Sequence, residues 1–300
     1  MAASAPQHFR DAETVRRWTI ALLMAGTLAS LALAQWWPEA QVGAAMVLIA
    51  TIGLQHGALD HILHAHMHGD PEGPLRQSFA LPYIAAIGLA WVAFEWAPAW
   101  MLGVFLVLSA YHFGMSHLRV DAMRHSIHPT GAAGTTLGAL VIAPLVLRPD
   151  ALDVLATYGW NVSVGFGGAW LPLQLATGVS ILLAGVLHLN WRTGWLPLSG
   201  VLLAWCVDDL LLAFALYFAL GHAREAFFEE FQERQSVATE FRSLYVRSLP
   251  LTAAFALMAS AVMWAAHTGM LAERAALSFL LAGTLPHIAV LEGWVTARLR

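Results

Sequence analysis

Apolar runs about as long as a bilayer is thick follow one another along most of this chain. A helix rising 1.5 Å per residue needs about 20 mostly apolar residues to cross a hydrocarbon core of about 30 Å. Runs near that length occupy residues 17–37, 42–61, 79–96, 98–117, 131–147, 171–188, 198–220, 250–266 and 275–295. The expected fold is therefore all-α, a polytopic membrane helix bundle of about eight or nine transmembrane helices. Composition agrees: 59% of residues are hydrophobic and only 11% charged, and the mean hydropathy is +0.64, outside the range of soluble domains.

Between the runs the punctuation is that of a membrane protein. Trp36-Trp37-Pro38 closes the first run, and Trp91, Trp96 and Trp100 suit an interfacial belt. Residues 1–16 read as a polar tail, 64–76 as a His-rich loop, and 149–168 as an external loop or re-entrant piece. Residues 222–247 read as an amphipathic helix, with Glu229, Glu230, Glu233 and Arg234 on one side and Phe227, Phe228, Phe231 and Phe241 on another. No repeat or linker divides the chain, so 1–300 is expected to be one integral-membrane domain. A net charge of −4 offers no nucleic-acid footprint, and the single Cys206 allows no internal disulfide. The Arg residues distribute almost evenly between alternate loops, which leaves the orientation and the oligomeric state open.

The apolar runs are interrupted by imidazoles and carboxylates. An ionisable side chain at membrane depth costs about 2.5–3.5 kcal/mol on insertion scales, so it normally faces protein and has a task. His56, His112, His188, His222 and His287 each lie in or at the end of an apolar run, whereas His8, His64, His66, His68, His125 and His128 belong to water or the interface. One buried histidine needs no special account; several from separate helices each need a polar partner, and one metal ion would serve them together. Asp60 stands one turn after His56 and is expected to hold the other ring nitrogen of a metal-bound histidine from another helix. Asp208 and Asp209 are better explained structurally, as hydrogen-bond partners or as a break in their span.

Four stretches carry a resemblance. Gly53-Leu54-Gln55-His56-Gly57-Ala58-Leu59-Asp60-His61, Tyr111-His112-Phe113-Gly114-Met115-Ser116-His117, the segment from Tyr217 to Phe227 around Gly221-His222, and Gly283-Thr284-Leu285-Pro286-His287 resemble, in that order, the motifs G-x-P-H-G-A-x-D, H-F-G-x-x-D, W-H-x-x-R-H and T-x-P-H of the Brp/Blh family of membrane β-carotene 15,15′-dioxygenases. The resemblance spans about residues 50–290. It implies a bacterial cell-membrane enzyme that uses iron(II) and O₂ to cleave a carotenoid at its central double bond and release retinal.

Carried over by position, the resemblance implies His56, His112 and His222 as ligands of a catalytic iron, with Asp60 supporting them. The family's remaining ligand of the third motif falls on Ala226, which has no donor; His287, His117 and Glu225 are the residues at hand to replace it, and His287 is included in the expected ligand set. Gln55 stands at the first motif's proline, His117 at the second motif's aspartate and Gly221 at the third motif's tryptophan. Trp91, Tyr111, Phe113, Tyr217 and Phe218 are expected to line the path of a long apolar substrate entering from the bilayer. Three other readings stay open. The same scaffold with altered or lost cleavage would bind metal and carotenoid only. A di-iron hydroxylase would need a second histidine cluster. A transporter or channel would use His56, Asp60, Asp208 and Asp209 as an ion path.

Overall fold

The computed structural model describes residues 7–69, 77–125, 131–148, 150–157, 160, 170–187, 206–223, 226, 241–272 and 274–298. Among these there is helix and no strand, as the run lengths require. The helices are α1 (Gln7–Trp36), α2 (Ala40–Leu48), α3 (Leu54–Gly57), α4 (Asp60–Met67), α5 (Gln77–Trp96), α6 (Pro98–His125), α7 (Gly131–Leu147), α8 (Ala151–Thr157), α9 (Trp170–Leu187), α10 (Leu210–Leu216), α11 (Phe241–His267) and α12 (Arg274–Arg298). Wide π turns cover Ile49–Gly53 and Tyr217–Ala223. Among the described residues, six spans are long and apolar enough to cross a membrane: Trp18–Trp36, Ala40–Ala65, Gln77–Trp96, Pro98–Leu118, Val246–His267 and Arg274–Gly293. Gly131–Ala143, Leu171–Leu183 and Leu210–Ala223 are shorter apolar helices. Leu28, Leu89, Leu182 and Leu257 lie largely exposed on these helices, which in water would be a liability and against lipid tails is not.

Two compact units divide the helices. The first comprises Met1–Gly53, Ser109–Arg148 and Pro172–Leu244. Its core joins Leu23 of α1, Ala45 of α2, Phe113 of α6 and Val141 of α7 to Leu212 and Leu216 of α10. Small residues let α6 and α7 meet backbone to backbone: a side chain at Gly114 would collide with the Gly134 carbonyl, and one at Gly138 with that of Ala110. Such close approach is how membrane helices gain packing energy where lipid tails offer no hydrophobic drive. Asp209 starts α10 by accepting the Leu212 N–H at 2.7 Å, while Arg148 donates to the carbonyls of Val207 and Asp208 at 2.9 and 2.8 Å. The run at 198–220 is thus broken before Leu210, the structural role expected of these aspartates.

The second unit comprises Leu54–Leu108, Pro149–Leu171 and Tyr245–Arg300. In it α12 runs along α5 and α4, with Phe94 stacked on the buried Trp160 at 5.6 Å and Trp91 edge-on to Phe279 at 5.5 Å. The Trp160 indole donates to Ser278 Oγ at 3.3 Å. At the ends of α5 and α12, Arg274 Nε meets Glu95 Oε2 at 3.0 Å.

Some boundaries differ from expectation. The polar tail is helical from Gln7 onward. Residues 64–67 of the expected His-rich loop 64–76 belong to α4, where His64 packs on Phe79 at 5.0 Å. α6 continues past His117 to His125. Of the proposed amphipathic stretch 222–247, His222 and Ala223 end a π turn and 241–247 open α11; its acidic face, together with His188 and Glu225, lies outside the described residues.

Candidate metal and substrate site

Non-helical backbone at membrane depth is tolerated only where protein covers it, and this chain places such backbone on both sides of a motif. Before it, the β-branched Ile49, Thr51 and Ile52 crowd a regular turn, Thr51 Oγ1 donates to the Val47 carbonyl at 2.7 Å, a bond that bends helices, and a π turn results. Gly53 ends it in contact with the Phe218 ring, where a side chain would not fit. After the motif the helix breaks at Ala58 and Leu59 and restarts at Asp60. His56 lies between the two irregularities, in the one-turn α3, and is 1% exposed.

In the second unit His56 meets His287 edge-to-face, with ring centroids 4.5 Å apart. His287 Nδ1 hydrogen-bonds Asp60 Oδ1 at 2.8 Å, and the Tyr83 hydroxyl donates to Asp60 Oδ2 at 2.8 Å. Asp60 is fully buried, so both carboxylate oxygens are held by protein donors from α5 and α12. A carboxylate on one ring nitrogen fixes the tautomer and aim of the other, the usual arrangement behind a metal-ligating histidine. Tyr83 was not foreseen. A tyrosine in an apolar run looks like packing, and only the fold reveals its partner. Gln55, at the resemblance's proline position, is a buried amide whose Nε2 donates to Ser248 Oγ on α11 at 3.2 Å.

In the first unit His112 of α6 and His222 of the second π turn face one another, Nε2 to Nε2 at 3.1 Å, both buried. Two imidazole nitrogens bound to one ion at about 2.1 Å, at angles from square to tetrahedral, stand about 3.0–3.4 Å apart. The pair therefore fits a shared ion; the same distance also suits one N–H···N hydrogen bond. The donor type points to a borderline metal such as iron, copper, nickel or zinc rather than magnesium or calcium. Aromatic rings fix His222 on two sides: Phe113 edge-on at 4.6 Å and Phe218 stacked at 6.0 Å, itself stacked on Phe214 at 5.6 Å. His117 Nε2 and the Tyr217 hydroxyl form a 2.6 Å hydrogen bond.

Of the aromatics expected along a substrate path, Phe113 and Tyr217 are buried, whereas Tyr111, Phe218 and Trp91 are half-buried. Phe113 and Phe218 bear directly on the His222 ring. Ala226 is buried at 5% exposure; the position of the missing imidazole thus faces protein.

Residues 47–295 match the family described as Beta-carotene 15,15′-dioxygenase. Among curated proteins, one named "Beta-carotene 15,15′-dioxygenase" from Uncultured marine bacterium 66A03 is 24% identical over 265 residues, covering 83% of this chain and 92% of that protein. No solved structure matches.

Proposed function

Since the chain belongs to the β-carotene 15,15′-dioxygenase family, we propose that it cleaves β-carotene or a related carotenoid with O₂ at the central double bond, using iron(II) held by His56, His112 and His222. The observation that carries this reading is the His112–His222 pair: buried nitrogens from segments 110 residues apart, at a spacing that suits ligands of one ion. Each of the three histidines is buried and offers an imidazole nitrogen, a donor that iron accepts. His287 stands as the fourth candidate, with Asp60 holding its Nδ1.

Bound there, iron would supply the activation of O₂ that an electron-rich polyene requires. The reaction balances without another reductant: one C=C bond and the O–O bond break, two C=O bonds form, and each aldehyde takes one oxygen atom. The protein's part is to hold and to exclude. Phe113, Phe214 and Phe218 offer an apolar wall against His222 on which a polyene can lie, and the burial of the histidines keeps water from competing. The carotenoid arrives from the bilayer, where it is already dissolved.

The purified full chain, incubated with β-carotene under ¹⁸O₂, is expected to contain about one iron and to yield retinal labelled in both product molecules. Retinal from iron-free protein, or two metals per chain, would overturn the assignment. One observation favours a second reading, in which carotenoid is bound but not cleaved: the buried Ala226 lacks the imidazole that the resemblance places there. Iron-loaded protein that retains carotenoid and releases no aldehyde would select it, and Ala226→His would then be the variant to assay for gain of cleavage.

A further inference from the structure

Within the first unit, α6 and the π turn Tyr217–Ala223 are joined by two buried polar contacts. One is the His112–His222 pair at 3.1 Å, the other the His117–Tyr217 hydrogen bond at 2.6 Å. Each partner in the second contact lies five residues from a partner in the first, on both segments, and in opposite chain directions. On an ordinary α-helix, residues five apart point about 140° away from each other. In a π turn the i→i+5 bonding sets residues five apart nearly above one another, so Tyr217 and His222 share a face. The wide turn brings its own two partners to one face.

We infer that His117 and Tyr217 are positioning residues for the metal site: their hydrogen bond fixes α6 against the π turn at the separation at which His112 and His222 suit one ion. Neither is a ligand in this arrangement. The bond is short, joins segments 100 residues apart and lies where both side chains are at most 6% exposed. Phe113 reinforces it from between, edge-on to both Tyr217 and His222. Removing the tyrosine hydroxyl would leave the packing of its ring in place and release only the polar tie. The two ligand nitrogens would then be free to drift from the separation an ion needs.

This inference rests on the metal assignment above, and the experiment separates the two. Full-length protein, Tyr217→Phe, His117→Gln and His117→Ala are loaded with cobalt(II) as a spectroscopic probe, titrated with a competing chelator, and also assayed as iron protein. Tyr217→Phe and His117→Ala are expected to lose cobalt to about tenfold less chelator, to shift the ligand-field bands and to lower kcat with KM within twofold. His117→Gln, whose amide still reaches the hydroxyl, is expected to keep most of the parent's affinity. Melting of the metal-free proteins serves as the control for a purely structural role. If Tyr217→Phe melts lower yet holds cobalt with the parent's spectrum and affinity, the positioning role is overturned while the metal site stands. If the parent itself takes up no metal, both fall.

Discussion

The two units hold their histidines in contrasting ways. In the second, His287 is anchored by a carboxylate that is itself anchored by Tyr83, a chain in which protein groups satisfy protein groups. In the first, two imidazoles face each other nitrogen to nitrogen, and the rigidity comes from rings packed around them and from one hydrogen bond a turn away. A buried ionisable group can thus be held by a fixed counterpart of opposite kind or kept poised at a set distance from another like it. The first solution specifies direction, and the second specifies spacing.

The largest effect should come from the poised pair. His112→Ala or His222→Ala is expected to abolish iron retention and lower retinal formation about 1000-fold or more, since an open metal site depends on every ligand; elemental analysis of the purified variants checks it. Full iron content in either would remove that residue from the ligand set. Asp60→Asn tests the anchored side. Loss of the carboxylate behind His287 should weaken metal retention or turnover about 10–100-fold, measured by chelator competition, and an unchanged value would reduce the Asp60–His287 bond to a packing device. Gly53→Ala drives a methyl group into the Phe218 ring that stacks on His222, and a displaced ligand should cost about tenfold in kcat, with the bulkier Gly53→Val worse. Tyr83→Phe removes one hydrogen bond in an apolar surrounding and should lower stability by about 0.5–2 kcal/mol, read from unfolding in mixed micelles. Arg274→Ala, at a partly exposed ion pair, should change stability by less than about 1 kcal/mol and leave retinal formation as it was.

Much of this was legible in the chain because apolar length and ionisable interruptions are local facts. The runs at 79–96 and 131–147 correspond to α5 and α7 within two residues, and His56 and His112 stand out as ionisable interruptions for the same reason. Asp60 was expected to hold a histidine from another helix, and it meets His287, 227 residues away. What did not show was decided by pairing between distant segments. Tyr83 and Tyr217 read as generic aromatics until Asp60 and His117 are found opposite them. Neither π turn could be read from periodicity, because apolar spacing registers neither the crowding of β-branched residues nor the packing of a distant ring, as Phe218 packs against Gly53. Likewise, the histidines of residues 64–76 suggest a loop, but Leu63 and Met67 pack against Val290 and Leu291 of α12, and residues 64–67 stay helical.

The turn at Tyr217–Ala223 amounts to one surplus residue threaded into an otherwise regular coil. Shortening the chain there by a single amino acid would restore ordinary winding and leave Tyr217 and His222 four residues apart, still on one face, whereas the same cut in the regular coil of α10 would swing everything downstream by about 100°. Single-residue deletions inside the turn should therefore be survivable in degrees, whereas those in the flanking regular helix should be all-or-nothing. A deletion scan across 214–223 would reveal the boundary of the motif more sharply than any alanine series.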